Sequence, residues 1–255
     1  MKYLILLPVL ALLGAAPAPE AGWERIFDGE TLTGWTPKIT GRPLGEDPLD
    51  MFTVHEGAIR VSHANYPKFE GEFGHLFWKA PLGAYRIRFE YRLFGETLPG
   101  VQRWQHSNSG LMFHAQPPET MRIDQQFPVS LELQLLGIPR PVEEPSGNVC
   151  TPGTTVVVDG TRDPRHCILS SSPLLPVGRW TKVELEVLPT GEITHFIDGE
   201  AVLRYSAPEL DPEDADAKPL IAAADGRVEL RQGYIALQSE GHQIEFRNIE
   251  LKRLD

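Results

Sequence analysis

Apolar and polar residues alternate along many short segments of this chain, whereas apolar residues almost never recur at helical spacing over three turns. Residues 85–91 carry apolar side chains at their odd positions, and residues 182–187 alternate with the same period of two. Successive side chains of a strand point to opposite faces, so each segment is predicted to be a strand with one buried face. Glycine and proline, 23 of each, bound these runs, which is typical of a β-sandwich or barrel. We therefore predict an all-β fold with little helix.

One turn and several loops can be placed from the sequence. Asp198 and Gly199 separate the apolar runs 194–197 and 201–205, and an Asp-Gly pair between two such runs is a strong hairpin signal. The stretches 37–48, 139–155 and 206–219 are rich in proline or glycine and are predicted to be surface loops. The last predicted strand, over residues 243–251, is expected to be structural.

The amino-terminal segment has the layout of a secretory signal peptide. Lys2 is followed by an apolar run over residues 3–13 and by small residues and prolines over 14–19. A run of about 10–14 apolar residues is too short to span a bilayer, although an uncleaved anchor stays open. We predict a signal peptide at 1–20 and a single domain at 21–255. The mature protein is expected in the periplasm or outside the cell, without stable membrane insertion.

The chain has two cysteines, Cys150 and Cys167, seventeen positions apart. In an oxidising compartment such a pair most simply forms one disulfide. Two cysteines alone would make a poor zinc site, so metal binding is the second interpretation.

The formal net charge is −11, and lysine and arginine are not clustered. Nucleic acids and anionic membranes both require a concentrated positive field, so the sequence argues against these partners. The expected partners are neutral or cationic, and the oligomeric state is not determined by the sequence.

Polar side chains with possible chemistry lie on the predicted strands. Glu132 and Gln134 alternate with leucines over residues 131–135, so they share the face opposite the leucines. By the same rule, His114 is predicted to share a face with Met112. Gln238 and Glu240 share a face of a later strand. The histidines His63, His75, His106 and His195 are expected to be surface or hydrogen-bonded groups. An ordinary solvated face is the alternative for all of these positions.

Four segments together resemble the 3-keto-disaccharide hydrolase domain family, which was first catalogued as a domain of unknown function. They are IFDGETLTGW at 26–35, NSGLMFH at 108–114, LELQLL at 131–136 and GYIALQSEGHQIEFRNI at 233–249. The resemblance extends from about Trp23 to Leu254. It implies a concanavalin-like jelly-roll β-sandwich of two antiparallel sheets.

The resemblance also implies a carbohydrate substrate, namely a glycoside whose sugar ring has been oxidised at C3 by a separate enzyme. A C3 ketone acidifies the C2 proton, so a base can remove it, the C1 substituent can leave by elimination, and water can then add. This route requires a base at C2, an electrophile at the C3 oxygen and an acid for the leaving group. A divalent metal ion of unknown identity is a possible electrophile.

The sequence offers candidates for each role. For catalysis they are Glu132, His114 and His166; for substrate binding, Asn108, Gln134, Gln238 and Trp104; and for a metal ion, His114, Glu132 and Glu240. His166 precedes Cys167 directly, so a disulfide would hold it on a stapled loop beside the groove. If the bridge only pins a long loop, His166 is simply exposed.

Three other functions remain open. A conventional glycosidase would need two carboxylates about 5–10 Å apart across the groove, and Glu132 with Glu240 is the pair to nominate. A non-catalytic carbohydrate-binding module would bind glycans without turnover, because the same sandwich supports lectins. A structural adhesion domain would leave the polar positions of the groove free to change.

Overall fold

A computed structural model describes residues 20–254, which form two antiparallel sheets and little helix. The predicted signal peptide, apart from Glu20, lies outside the described residues. The strands are β1 (Glu24–Arg25), β2 (Trp35–Ile39), β3 (Phe52–His55), β4 (Ala58–Val61), β5 (Gly74–Trp78), β6 (Tyr85–Phe94), β7 (Asn108–Ala115), β8 (Leu131–Leu136), β9 (Asn148–Cys150), β10 (Thr154–Val158), β11 (Thr161–Arg162), β12 (Cys167–Ile168), β13 (Thr181–Val187), β14 (Glu192–Ile197), β15 (Glu200–Leu210), β16 (Tyr234–Ser239) and β17 (Gln243–Arg253). The helix α1 spans Ala217–Ala223, and two short 3-10 helices span Arg103–Gln105 and Pro118–Thr120. No helix within residues 20–254 has the length and hydrophobicity that a membrane span requires.

The two sheets pack face to face. The larger has ten strands in the order β11-β10-β15-β14-β13-β6-β17-β4-β3, with β1 pairing to β17. The smaller has seven strands in the order β12-β9-β8-β7-β16-β5-β2. Their facing side chains form one main apolar core, which includes Leu131, Leu133 and Leu135 from β8 and Ile87 and Phe89 from β6. The predicted all-β sandwich of two antiparallel sheets is therefore confirmed.

The outer face of the ten-stranded sheet carries ion pairs between neighbouring strands. Strand β6 alternates buried apolar and half-buried polar residues along its whole length, as its sequence period predicts. The guanidinium groups of Arg60 and Arg92 both contact the carboxylate of Glu245, with Arg60 Nη2 at 2.6 Å. Arg88 Nε pairs with Glu250 Oε2 at 2.8 Å. The charged side chains named here therefore have partners within the same sheet.

The outer face of the seven-stranded sheet is different, because loops cover it. The segments that carry the two 3-10 helices cross this face, and its strand residues are almost all buried: every residue of β5 and β7 is buried. A strand that is buried on both sides carries polar side chains that water does not reach. This covered face contains the candidate site described below.

Several local predictions can be compared with the structure. The hairpin around Asp198 and Gly199 is confirmed, since β14 pairs with β15 across that turn. The loop predictions were partly wrong: residues 37–39 belong to β2, residues 148–150 form β9, and β15 continues to Leu210. Each of these segments pairs with a strand from another part of the chain. Local proline and glycine content carries no information about such pairing.

Cys150 and Cys167 form a disulfide with a Cα–Cα distance of 4.1 Å. The two residues face each other directly in the antiparallel pair β9–β12. β12 is an edge strand of only two residues. The disulfide therefore supplies a covalent link to the sheet where few backbone hydrogen bonds are possible. The disulfide interpretation is confirmed over the zinc alternative.

Removing this bridge should destabilise the fold. A Cys150→Ser, Cys167→Ser double variant is expected to lose about 3 kcal/mol of unfolding free energy, because the bond closes a loop of 17 residues in the unfolded chain. Urea denaturation of the variant and of the oxidised protein measures the difference. Reductant should lower the midpoint of the native protein and leave that of the variant unchanged. Equal midpoints for oxidised and reduced native protein would contradict the expectation.

Candidate functional site

A cavity of about 450 Å³ lies on the covered face of the seven-stranded sheet. Polar and aromatic side chains from β7, β8, β9, β12 and several connecting loops line it. They are Trp104, Asn108, Phe127, Glu132, Gln134, Arg140, Glu144, Cys150, Pro152, His166, Cys167, Leu169 and Glu240. Six of the sequence candidates are thus brought together: Trp104, Asn108, Glu132, Gln134, His166 and Glu240.

Strand pairing places Glu132 at the centre of the sheet. Its Cα lies opposite Met112 on one side and opposite Cys150 on the other. Because paired residues point to the same face, the disulfide and Glu132 lie side by side on the cavity floor. The leucines that flank Glu132 point into the core, so the predicted strand phase is confirmed.

Gly110 provides the space for the Glu132 carboxylate. A Cβ atom built at Gly110 would lie 2.6 Å from Glu132 Oε1 and 2.7 Å from its Cγ. These distances are well below van der Waals contact, so the Glu132 side chain lies directly over the glycine. A residue of any other type at position 110 would have to displace the carboxylate.

Glu132 and Glu240 form a pair of buried carboxyl groups. Burial raises the pKa of Glu132, and the neighbouring Gln238 amide opposes that shift only in part, without making a hydrogen bond of standard geometry. Burial and the charge of Glu132 together raise the pKa of Glu240 well above its ordinary value, while Arg140 acts in the opposite direction. Ionising both groups at once is therefore unfavourable, so the pair favours a form that keeps a proton.

Arg140 brings a positive charge to the same cavity. Its side chain is only 3% exposed, and its Nη1 lies 3.5 Å from Glu144 Oε2. Its Nη2 donates a hydrogen bond to the carbonyl of Trp104 at 3.1 Å. Its Nε and Nη1 make no hydrogen bond, so two donors of a buried cation remain available. Sequence reasoning missed Arg140, because it follows a loop proline and has no strand phase.

Buried polar atoms without hydrogen-bond partners are concentrated on this face. They include Asn108 Oδ1, Glu132 Oε1, Gln238 Nε2 and Oε1, and Glu240 Oε2. Leaving one such group unpaired costs about 1–3 kcal/mol, and native proteins contain few of them. A ligand with several hydroxyl groups would satisfy donors and acceptors together.

Aromatic side chains form one wall and the mouth of the cavity. Trp104 is 48% exposed and lies parallel to Phe73 with ring centroids 6.1 Å apart. Phe127 contacts Phe73 at a centroid distance of 4.6 Å. The exposed indole face at the mouth is available for stacking on a ligand ring.

His166 lies between this cavity and a larger neighbour of about 750 Å³, and it lines both. Its ring is exposed, yet partial burial lowers its pKa. The larger cavity is rich in charged side chains, but many of them are paired, such as Arg122 with Asp216 and Arg165 with Asp163. Because of its unpaired buried groups, we take the smaller cavity as the candidate reactive cavity; the larger cavity adjoins it at His166.

His114 does not join this site. Its φ of +46° and the register shift between β7 and β16 mark a bulge at this position, which interrupts the alternation of side chains. The alternation from which His114 was predicted to share a face with Met112 is therefore broken here, and His114 does not line the cavity that holds Glu132. The histidine lines two other cavities: Ala84 also lines the first of them, and Pro81 also lines the second. The backbone of Gly233 approaches so closely that a Cβ there would lie 2.4 Å from the His114 carbonyl carbon.

The predicted metal ligands are consequently not assembled as a set. Glu132 and Glu240 share the cavity, while His114 is outside it. Within residues 20–254, no three side chains of His, Cys, Asp or Glu come together in a way that could hold a metal ion. The residues present do not fit a metal site of protein ligands alone, so the steps below use only the chain's own groups.

Gln238 is fully buried beside the cavity rather than on its lining. Its position follows from strand pairing, because its Cα lies opposite His75 of β5. Asn108 and Gln134 line the cavity as predicted, with Gln134 Oε1 accepting a hydrogen bond from Asn148 Nδ2 at 3.0 Å. The predicted substrate-binding roles of these residues stay predictions.

The carboxyl pair predicts a distinctive pH dependence of stability. The pKa of Glu132 in the folded state lies above the ordinary 4.5, so ionisation of this group is unfavourable in the folded protein. Its contribution to the unfolding free energy is therefore greatest below pH 4.5 and falls as pH rises towards the folded-state pKa. Glu132→Gln cannot ionise. Its stability relative to the native protein should therefore increase with pH, by at most about 1.4 kcal/mol per pH unit. Urea denaturation at mildly acidic and mildly alkaline pH measures it.

Glu245→Gln is the matched control. Burial acts to raise the pKa of Glu245, but hydrogen bonds from Arg92 and Arg60 outweigh it and lower that pKa. The stability due to Glu245 is thus present above the ordinary pKa and lost as pH falls, so this variant should compare worst with the native protein at high pH. The same pH trend in both variants would contradict the assignment of Glu132.

Solved structures share the fold. The crystal structure of a protein from Parabacteroides distasonis, provisionally assigned as a glycosyl hydrolase, has a TM-score of 0.53 at 18% identity, over 92% of this chain and 94% of that chain. A Bacillus subtilis protein of unknown function with a galectin-like fold has a TM-score of 0.52 at 12% identity, over 87% of this chain and 90% of that chain. At these identities the likeness concerns the fold alone.

Sequence comparison identifies the family. This chain is 23% identical to a protein of Bacteroides thetaiotaomicron named 3-keto-disaccharide hydrolase, over 94% of this chain and 81% of the relative. The sequence pattern of the 3-keto-alpha-glucoside-1,2-lyase-like domain matches residues 22–252. That span contains every residue of the candidate site. The chain therefore belongs to the 3-keto-alpha-glucoside-1,2-lyase-like domain family.

Proposed function

We propose that this protein cleaves glycosides or disaccharides whose sugar ring carries a ketone at C3, by elimination followed by addition of water. One observation carries the proposal: two buried carboxyl groups with raised pKa share a cavity with a buried, incompletely paired arginine. A reaction that moves protons at neutral pH needs such tuned carboxyl groups. Family membership supports the same substrate class.

The carboxyl pair would supply the base and the acid. Glu132, which lies directly over Gly110, takes the C2 proton, and the electrons of the C2–H bond form an enolate with the C3 carbonyl. The C1–O bond then breaks to give a C1=C2 double bond, and Glu240 donates its proton to the leaving oxygen. Water adds at C1 and a proton returns to C2, so the net change is hydrolysis.

Arg140 would stabilise the charge that develops on the C3 oxygen. Its buried Nε and Nη1 make no hydrogen bond within the protein, so they are preorganised to donate to an oxyanion. The divalent metal electrophile that the sequence suggested stays a prediction, and the sensitivity of turnover to a chelator tests it.

The neighbouring larger cavity offers room for the leaving group. It continues from the reactive cavity past His166, Phe127 and Pro152, which line both. Trp104 at the mouth would stack on a sugar ring. We therefore propose that a disaccharide spans the two cavities.

The first test is turnover of a 3-keto glycoside by the purified protein, with sugar release and the enone intermediate both monitored, with and without a chelator. Glu132→Gln should lower kcat by about 10²–10⁴-fold, the range that a general base contributes. His114→Ala is the matched control, since His114 lies outside the cavity, and it should retain the native rate.

Three results would change the proposal. Equal rates for native protein and Glu132→Gln would exclude Glu132 as the base. Loss of activity in His114→Ala with an intact fold would return that histidine to the site. Folded protein that binds glycans and never releases sugar, with any added divalent metal, would favour a non-catalytic carbohydrate-binding module.

Gly110→Ala should separate activity from folding. The added methyl group would collide with the Glu132 carboxylate, so kcat for the 3-keto glycoside should fall at least tenfold. The side chain can rotate into the cavity, so the thermal midpoint should change little. Circular dichroism and turnover together measure this, and native kcat in the variant would show that the carboxylate position over Gly110 is unimportant.

A further inference from the structure

His75 is a buried histidine for which the reaction described above has no use. It is 1% exposed, on β5, and both of its ring nitrogens lack hydrogen-bond partners. Sequence reasoning expected this histidine to be a surface or hydrogen-bonded group, and it is neither. Burial lowers its pKa to about 3, so the ring is neutral, with one donor and one acceptor.

A second histidine shows what a structural role looks like in this fold. His195 is equally buried, between the two sheets, but its Nδ1 pairs with the Gly147 carbonyl at 2.9 Å and its Nε2 with the Tyr205 hydroxyl at 2.7 Å. Both of its nitrogens are therefore used. Three other buried histidines, His63, His114 and His242, each have one unpaired ring nitrogen, whereas both nitrogens of His75 are unpaired.

His75 is linked to Glu132 of the reactive cavity through Gln238, which does not itself line that cavity. His75 and Gln238 are directly paired across β5 and β16, and both polar atoms of the Gln238 side chain also lack partners. Gln238 in turn acts on the pKa of Glu132. A line of unpaired polar groups thus runs across the sheet from Glu132 to His75.

Lys38 closes this line on the other side. It is paired with His75 across β2 and β5, but its Nζ donates to the carbonyl groups of Ile39, Arg42 and Ile123. The lysine is satisfied by these carbonyls and leaves the imidazole unpartnered.

Phe127 covers the imidazole. Its ring lies edge-on to His75 at a centroid distance of 5.9 Å, and the same residue lines the reactive cavity. Phe127 is only half-buried and lies on the loop that leads into β8. It is the side chain that would have to rotate for a ligand group in the cavity to reach His75.

We propose that His75 and Gln238 form an inner binding subsite, covered by Phe127, for one hydroxyl group of the sugar. A hydroxyl both donates and accepts, as do a neutral imidazole and a carboxamide, so one such group can pair with both side chains. The subsite selects sugars that carry this hydroxyl group. Measuring the selection by turnover rests on the proposed function.

The test compares His75→Leu with His195→Leu. His75→Leu removes two unpaired nitrogens, so its thermal midpoint should be equal to or above that of the native protein, while kcat/KM for the 3-keto glycoside falls about tenfold to hundredfold. His195→Leu breaks two hydrogen bonds, so its midpoint should fall while kcat/KM of the folded protein is unchanged.

A series of substrates, each lacking one hydroxyl, identifies the group that is bound. For one member of the series, native protein and His75→Leu should have equal kcat/KM, because the interaction is already absent. Gln238→Met should lose the same hydroxyl preference. It replaces His75→Leu as the test variant if His75→Leu does not fold. Native kcat/KM in His75→Leu on the complete substrate would overturn the proposal and leave His75 as a histidine paired with buried water.

The proposed reaction can fail separately. If the native protein turns over no 3-keto glycoside, calorimetric titration with the corresponding unoxidised glucoside replaces turnover, and His75→Leu should weaken binding at least tenfold. Equal affinity in the two proteins, or no binding by the native protein, would overturn the subsite.

Discussion

Packing between the two sheets is the constraint on which the site depends. Leu131, Leu133 and Leu135 of β8 are fully buried against the ten-stranded sheet, and a leucine buried in this way stabilises the fold by about 1.5–3 kcal/mol. A shift of β8 by one residue would move all three leucines to the covered outer face of the seven-stranded sheet and turn Glu132 into the core. The apolar core therefore fixes the direction of Glu132 and Gln134, with no need for local polar contacts to do so.

The covered outer face of the seven-stranded sheet is costly for the fold. It removes glutamates, glutamine and histidine from water without giving their polar atoms partners. Each such atom lowers stability, and the sandwich core and the disulfide between β9 and β12 offset the cost. Unpaired polar groups held rigidly on strands are preorganised for a ligand, because no side chain has to be released from another partner before binding.

Charged residues of the same types behave in opposite ways on the two sheets. Glu245 lies between Arg60 and Arg92, and their hydrogen bonds lower its pKa. Glu132 and Glu240 share a cavity with Arg140, and burial raises the pKa of both carboxyl groups. The first arrangement favours a permanent ion pair and the second favours a carboxyl group that exchanges its proton. Environment, and not residue type, separates a structural glutamate from a reactive one.

The sequence by itself determined the all-β sandwich, the hairpin at Asp198, the disulfide and the face on which Glu132 lies. These features depend on the two-residue alternation of apolar side chains, on the residues of a turn, or on the presence of just two cysteines in the chain. Only the tertiary structure decided that Arg140 and Phe127 reach Glu132, that a bulge removes His114 from it, and that His75 lies unpaired beside Gln238. Convergence of loops, strand order and loss of water are set by contacts between residues distant along the chain, and no pattern of neighbouring residues encodes them.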